Sequence, residues 1–384
     1  MVVAMVLAVP ISGQAASLDL PLEWQVTQRN AEDWAEVKVA GTVPTNAILV
    51  EAKAELGAGL RRKATDWLVV ARVAQFKDGK FCGRPKLAAR GWYTLNVRFR
   101  KSAADPAVIG EAAVEHVGVG DVFVVAGQSN SSNRGQERQE TMTGLVTAFY
   151  GKHWQLANDP QLGASGDAGS FMPPFGDAMA GRFKVPVGII ACGIAATSVR
   201  EWLPKGATFP NPPTLKGRVR QLPGGEWESK GEAFDMFVTR MKQLGPKGFR
   251  AVLWHQGESD AEQPDPKRTL PGKQYPQYLE QIIRASRQEI GWDAPCFVAL
   301  VSSHGREGRR TCVAARNRFG MTASPWKART ARRSGATFAL VFTSAARACA
   351  NMGHAVPREL RPGWRSRALG VLKNRTRGIS NEQT

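Results

Sequence analysis

One apolar run and the four residues after it constrain the fold more than any other feature of the chain. The run covers residues 122–126 (VFVVA), and residues 127–130 (GQSN) follow it directly. An apolar run of this kind is typical of a buried β-strand. Open α/β sheets carry their chemistry at the carboxyl ends of the strands, so Ser129 would stand where a nucleophile can act. The alternative is an ordinary polar turn between a strand and a helix. The rest of the chain must decide between these two interpretations.

The composition is that of a globular protein. The 384 residues suit two domains or one large one, and 43% are hydrophobic while 22% are charged. The five cysteines show no metal-ligand spacing and, being odd in number, cannot all pair within the chain. With no Gly-rich phosphate loop and no metal-ligand cluster in the sequence, we expect neither a metal nor an organic cofactor.

The start of the chain suggests export. Residues 1–16 carry no charge, end in small residues and resemble a secretory signal peptide with cleavage near Ala15 or Ala16. The alternative is an apolar first strand. No later run reaches the roughly 18 apolar residues that a membrane span needs. The sequence therefore predicts a secreted or periplasmic protein without a membrane span.

The positive charge is concentrated at the end of the chain. Residues 305–384 hold 15 Arg, 2 Lys, 3 Glu and no Asp, which gives +14 of the total formal charge of +19. The first 304 residues carry the remaining +5 and give no reason to expect a nucleic-acid partner. An Arg-rich tail could bind anionic polymers, or it could be a frame-shifted reading of a different sequence.

The sequence pattern changes near residue 117. Residues 17–117 contain short β-rich segments between turns and predict a small β-sandwich, with a structural or a sugar-binding role; the segments are residues 36–39, 47–51, 67–71 and 92–98. Over residues 118–304, strand candidates alternate with helical periodicity, at residues 185–192 and 249–254 for the strands and 233–244 and 275–290 for the helices. Such alternation predicts a largely parallel sheet with helices on both faces.

Three predicted strand ends in the second region carry unusual polar segments, at residues 127–130, 193–198 and 254–260. The carboxyl ends of parallel strands meet at one edge of a sheet, so we expect these segments to converge. Acyl transfer needs a nucleophile and preorganised N–H donors for the oxyanion. Ser129 offers the hydroxyl, the Ala195–Ala196 loop a backbone N–H, and Gln256 a side-chain amide.

These segments resemble the SGNH-type hydrolases, in particular the sialate O-acetylesterase-like carbohydrate esterases. Residues 127–130 resemble the nucleophile block of that family, residues 254–260 its Gln-Gly-Glu-Ser block, and residues 193–202 its Gly-Gly-Thr…Trp segment with two alanines replacing the glycines. The resemblance implies a three-layer, flavodoxin-like α/β domain behind an all-β sandwich. It also implies that acetylated carbohydrates or glycans are the substrates and that a serine acyl-enzyme hydrolyses their acetyl esters.

The resemblance also assigns roles to single residues. Ser129 would be the nucleophile, with the Ala196 backbone and the Gln256 side chain as oxyanion donors. Asn130, Glu258 and Trp202 would contact the substrate or organise the site. For Glu258 the alternative is a solvated turn, and for Trp202 ordinary packing. His255, between Trp254 and Gln256, is interpreted as a framework residue.

The chain departs from the family where the catalytic base should be. The family carries a late His, often preceded by an Asp, which takes the proton of the serine. Here the last Asp is Asp293, and His354 is the one His beyond His304, with Asn351 three residues before it. His354 is thus the candidate base. A frame shift near residues 305–312 would explain the absence of a better one, and an inactive, glycan-binding relative is the alternative function.

Overall fold

The computed structural model describes residues 15–57, 64–261 and 263–299. Most of the predicted signal peptide and the Arg-rich tail with His354 lie outside these residues. Before residue 128 the described chain forms strands β1 (Ser17–Leu20), β2 (Val26–Gln28), β3 (Trp34–Glu36), β4 (Val39–Thr42), β5 (Leu49–Leu56), β6 (Leu68–Arg72), β7 (Lys80–Gly83), β8 (Lys86–Ala88), β9 (Tyr93–Arg100) and β10 (Val108–Gly127).

The second part of the chain mixes strands and helices. The strands are β11 (Val146–Tyr150), β12 (His153–Leu156), β13 (Val187–Ala191), β14 (Thr208–Phe209), β15 (Val219–Gln221), β16 (Trp227–Ser229), β17 (Ala251–His255) and β18 (Cys296–Val298). The α-helices are α1 (Met172–Phe183), α2 (Glu232–Gln243) and α3 (Gln274–Ile290). None of these described helices is both long and apolar enough to cross a membrane.

Strand β10 is the central element of the fold, because it pairs with strands from both parts of the chain. Its first half pairs antiparallel with β9, with Ala112 opposite Val97. Its second half pairs in parallel with β13 on one side and with β17 on the other. The parallel part of the sheet continues from β13 to β11 and from β17 to β18, and β12 closes one edge antiparallel to β11. The change of pattern near residue 117 therefore falls inside one continuous strand, without a linker.

The apolar run in β10 is buried on both faces of the sheet. Phe123 and Val125 pack with residues of α1, while Val122 and Val124 pack with residues of α2 and α3. A strand covered on both faces has no need of polar alternation, which explains the unbroken apolar sequence. Over the described residues the fold is thus a mixed, sheet-rich architecture with few helices.

The predicted elements differ in how well they agree with the structure. Both predicted helices agree with α2 and α3 to within one residue. The prediction of one strand at residues 36–39 is wrong, because β3 ends at Glu36 and β4 begins at Val39. These two strands pair with different partners, β8 and β7, so the chain changes sheets between them.

The strands before residue 118 surround a second core cluster, which also includes Val119 and Val185. Val50, Leu95 and Phe99 from β5 and β9 pack with Val39 of β4 and Phe81 of β7. Small antiparallel sheets that bury their apolar faces against each other are the expected outcome of the alternating sequence in this region. The division of the chain into two domains at residues 117 and 118 stays a prediction.

Candidate active site

Ser129 lies directly beyond the carboxyl end of β10, in a single 3-10 turn that covers Ser129–Ser131. The φ angle of Ser129 is +47°, in the left-handed region that residues other than glycine rarely adopt. Its carbonyl oxygen accepts hydrogen bonds from the backbone N–H groups of Ser132 (2.8 Å) and Arg134 (3.2 Å). The turn is therefore held in a strained conformation, and such conformations are concentrated at functional sites.

Two glycines let the loops at the strand ends approach each other closely. A Cβ atom on Gly127 would lie 2.0 Å from the carbonyl oxygen of His255, and one on Gly193 would lie 1.8 Å from that of Ser131. The backbone N–H of Gln128 donates to the His255 carbonyl (2.8 Å), and that of Ile194 donates to the Gly127 carbonyl (2.9 Å). The three polar segments at the strand ends thus lie together in one cluster beside Ser129.

The buried side chain of Gln128 connects the Ser129 turn to the loop after β17. Its Nε2 donates to Ser259 Oγ (3.0 Å) and lies 3.4 Å from Ser129 Oγ. Its Oε1 accepts from Ser259 N (3.1 Å) and from Gln256 Nε2 (3.0 Å). Sequence reasoning assigned no role to Gln128, although its place beside Ser129 in the same motif was a usable signal.

Gln256 is buried, and its side-chain amide donates hydrogen bonds to other buried groups. Its Nε2 lies within hydrogen-bond distance of Asp260 Oδ2 (2.7 Å), the Thr197 carbonyl (2.9 Å) and Gln128 Oε1 (3.0 Å). An amide nitrogen carries only two hydrogens, so these internal acceptors use both of them. The expectation that Gln256 donates to an oxyanion does not fit this structure, in which the side chain joins three loops.

Ala196 presents a backbone donor at the surface. The residue is exposed and has φ +56°, again in the left-handed region. The N–H of the preceding Ala195 donates to Ser165 Oγ (2.7 Å). The N–H of Ala196 donates to no residue in the part of the chain that the structure describes. It is therefore available to bind an oxyanion.

Asn130 is half-buried and follows Ser129 in the same turn. Its carbonyl accepts from the N–H of Phe171 (3.4 Å). Its side-chain amide bonds to none of the described residues, so it can face a substrate.

Comparison with known proteins gives this cluster its context. A family model described as "Carbohydrate esterase, sialic acid-specific acetylesterase" matches residues 119–325, more than half of the chain. The chain belongs to this family. No curated protein matches it significantly.

Solved structures supply further likenesses. The carbohydrate acetylesterase XAC1771 from Xanthomonas citri is 19% identical over 74% of this chain and 60% of its own, with a TM-score of 0.40. A protein from Arabidopsis thaliana is 18% identical over 48% of this chain and 74% of its own, with a TM-score of 0.34. NanS is 14% identical over 46% and 66%, with a TM-score of 0.30. The chain thus spans less than two thirds of the length of the Xanthomonas enzyme.

In this member of the family, Trp202 lies in the core. The side chain is fully buried, and its Nε1 donates to Thr197 Oγ1 (2.9 Å). Its ring packs edge-on against Trp254, with 5.2 Å between the ring centroids. The expectation that Trp202 contacts substrate does not fit this burial, and the packing alternative explains the residue.

Glu258 and His255 lie side by side behind the cluster. Glu258 Oε1 is 3.8 Å from His255 Nδ1, and the side chain of Glu258 is 13% exposed. Glu258 Oε2 is buried and bonds to none of the described residues. Burial lowers the pKa of His255, and the nearby Glu258 charge only partly opposes this effect. Its burial agrees with a framework role for His255.

Asp260 and Arg200 have a larger structural role than their sequence context suggested. Both side chains are buried, with Arg200 Nη2 3.3 Å from Asp260 Oδ1. Burial lowers the pKa of Arg200, and the Asp260 carboxylate only partly offsets this effect. The sequence signal was the Asp at the end of the Gln-Gly-Glu-Ser segment, but a solvated turn would have the same sequence.

The predicted base, His354, lies outside the described residues. The described histidines are His116 in β10, His153 in β12, and His255. Within the described ranges, the group of side chains spaced to hold a metal ion is Glu23, Glu115 and His116, and it includes none of the site residues.

Proposed function

We propose that this protein hydrolyses acetyl esters on carbohydrates through an acyl-enzyme at Ser129. The observation that carries the proposal is the juxtaposition of a strained Ser129 turn with the Ala196 loop at the end of the central strand. Membership of a carbohydrate esterase family supports the reaction class. A sialate as the sugar, an SGNH-type three-layer fold and a secreted or periplasmic location are further parts of the proposal.

The proposed reaction has two halves. The Oγ of Ser129 attacks the acetyl carbonyl carbon while a base takes its proton, and the N–H groups of Ser129 and Ala196 bind the oxyanion. The sugar hydroxyl leaves with that proton, and the acetyl group stays on Ser129. Water then attacks the acetyl-serine, releases acetate and restores the hydroxyl.

The base in this proposal comes from beyond residue 299. His255 is buried in the framework, and burial lowers its pKa. His354 is therefore kept as the candidate base. The flavodoxin-like part of the proposal is supported by the parallel sheet β11-β13-β10-β17-β18, whose central strand is covered by helices on both faces.

The test is ester hydrolysis by the full chain. We expect release of acetate from a chromogenic acetyl ester and from an O-acetylated sugar. Ser129→Ala should lower kcat at least about 10³-fold, because no acyl-enzyme can form. The intact mass after brief exposure to substrate should show one acetyl group on wild type and none on Ser129→Ala.

Ser131→Ala is the matched control, since Ser131 is buried two residues away and its hydroxyl makes only a 3.5 Å contact with the His255 carbonyl. It should keep most of the activity. Equal hydrolysis by wild type and Ser129→Ala would show that the proposal is wrong.

A further inference from the structure

The carboxylate of Asp260 lies in the protein interior, and both of its oxygens accept hydrogen bonds. It is 2% exposed. Its Oδ1 accepts from Ser198 Oγ (2.5 Å) and Arg200 Nη2 (3.3 Å). Its Oδ2 accepts from Gln256 Nε2 (2.7 Å) and from the backbone N–H of Val199 (2.8 Å). Four donors match the four lone-pair positions of a carboxylate, so the Asp260 side chain has little freedom to change its position.

The donors to Asp260 come from both sides of the candidate site. Ser198, Val199 and Arg200 follow Ala196 in the loop after β13, while Gln256 and Asp260 belong to the loop after β17. Asp260 therefore ties these two loops together. Gln256 carries the connection further, because its amide also contacts the Thr197 carbonyl and the side chain of Gln128, next to Ser129.

The residues around Ala196 are held while its own N–H is left open. The hydroxyl of Thr197 donates to the Ile194 carbonyl (2.8 Å), and the N–H of Ala195 donates to Ser165 Oγ. Together with the bonds of Ser198 and Val199 to Asp260, these contacts fix the turn on both sides of Ala196. A donor can serve an oxyanion only if it is aimed in advance at the place where the charge develops.

Arg200 anchors the carboxylate in the surrounding structure. Its guanidinium donates to the carbonyls of Asn211 (2.8 Å), Pro212 (3.1 Å) and Arg268 (2.7 Å), and its Nε donates to Ser198 Oγ (2.8 Å). Because Arg200 is fully buried, Asp260 also supplies the counter-charge it needs. The pair therefore has a defined position relative to the loops on both sides.

From these contacts we propose that Asp260 is a positioning residue, which fixes the turn that aims the Ala196 N–H at the oxyanion. The catalytic consequence rests on the proposed acetylesterase function. Asp260 touches no reacting atom, so its loss should reduce transition-state stabilisation and leave ground-state binding almost unchanged.

The test is Asp260→Asn in the full chain. An amide at this position opposes at least one internal donor with a donor of its own, which loosens the turn. We expect kcat to fall about 10- to 100-fold with KM within about threefold of wild type, since a single oxyanion donor is worth about 10²–10³ in kcat. We also expect amide hydrogen exchange in residues 194–203 to become at least about tenfold faster. Asp265→Asn is the matched control, because this carboxylate is 46% exposed and caps a surface turn through Lys267 N.

Each outcome has a definite meaning. Asp260→Asn with wild-type kcat and wild-type exchange overturns the positioning role. If Asp260→Asn does not fold, Ser198→Ala decides, because it removes one bond to Asp260 and keeps the pair with Arg200. It should lower kcat about fivefold and speed exchange in the same segment, and no change in either would overturn the role. If wild type hydrolyses no acetyl ester, the proposed function fails, while exchange in residues 194–203 still tests the positioning.

Discussion

At the residue scale, Glu201 is a carboxylate in an unfavourable place. It is fully buried in the 3-10 turn Val199–Trp202, where it accepts from the N–H of Ser198 (2.8 Å) and lies 3.6 Å from Arg218. Burial raises the pKa of Glu201 to about 7; Ser198 and Arg218 oppose this shift, and the charge of Asp260 adds to it. The side chain is thus partly protonated at neutral pH, whereas the same group in the unfolded chain is ionised.

Glu201→Gln should therefore change how stability depends on pH. With a folded-state pKa above the ordinary value of 4.5, the wild type loses free energy of unfolding as pH rises from about 4.5 to 7, by about 3 kcal/mol in all. The variant lacks this titration, so urea unfolding at pH 5 and pH 8 should show a smaller decrease than wild type. Glu289→Gln, at an exposed pair with Lys242, should behave like wild type. Parallel pH profiles for wild type and Glu201→Gln would contradict this account.

Residue identity was easier to predict from the sequence than side-chain direction. The segments around Ser129, Ala196 and Gln256 were found from their types and order, and the structure brings them together. The directions of Gln256 and Trp202 were not predictable, because an amide or an indole beside a strand end can face either the cleft or the core. Here Gln256 points inward because its amide donates to Asp260, and Trp202 points inward because its indole donates to Thr197.

At the element scale, the helices with a clear apolar periodicity were the most predictable. Helices α2 and α3 bury one stripe against the sheet, and that stripe is visible as spacing in the sequence. Helix α1 was not predicted, since Pro173 and Pro174 occupy its first turn and resemble a loop. Proline is tolerated there because the first N–H groups of a helix have no intrahelical partner.

The contact between the loops after β10 and β13 makes a specific prediction. Gly193→Ala would place a methyl group against the Ser131 carbonyl, so we expect a loss of about 1–3 kcal/mol in stability and a larger loss of ester hydrolysis. Gly181→Ala is the control, since Gly181 is exposed within α1 and has open space around it. It should raise stability by about 0.5–1 kcal/mol. Equal urea midpoints and activities for the two variants would refute the loop-contact argument.

At the scale of the whole molecule, the buried carboxylate of Asp121 joins both parts of the chain. Asp121 begins the parallel half of β10 and is 1% exposed. It accepts from Arg29 Nε (3.0 Å) and Nη2 (2.8 Å), just after β2, and from Arg250, just before β17. Burial acts to raise the pKa of Asp121, but the hydrogen bonds and charges of the two arginines outweigh it and hold the pKa below its usual value. The sequence gives no sign of this cluster, because its members are more than 90 residues apart.

Asp121→Asn should therefore destabilise the entire protein and not one part of it. Removal of the charge takes the shared counter-ion from two largely buried guanidinium groups, of which Arg29 keeps only the exposed Asp33, and this costs about 3–5 kcal/mol at pH 7. Because the folded pKa is depressed, the wild-type advantage is fully present above the ordinary value of 3.8 and disappears as pH falls through the lower folded value. We expect urea unfolding, monitored by the fluorescence of tryptophans in both parts of the chain, to show one transition with a lower midpoint. Asp19→Asn, at an exposed pair with Lys80, should leave the midpoint unchanged. Two separate transitions in Asp121→Asn would mean that β10 alone, without this ion cluster, does not unite the fold.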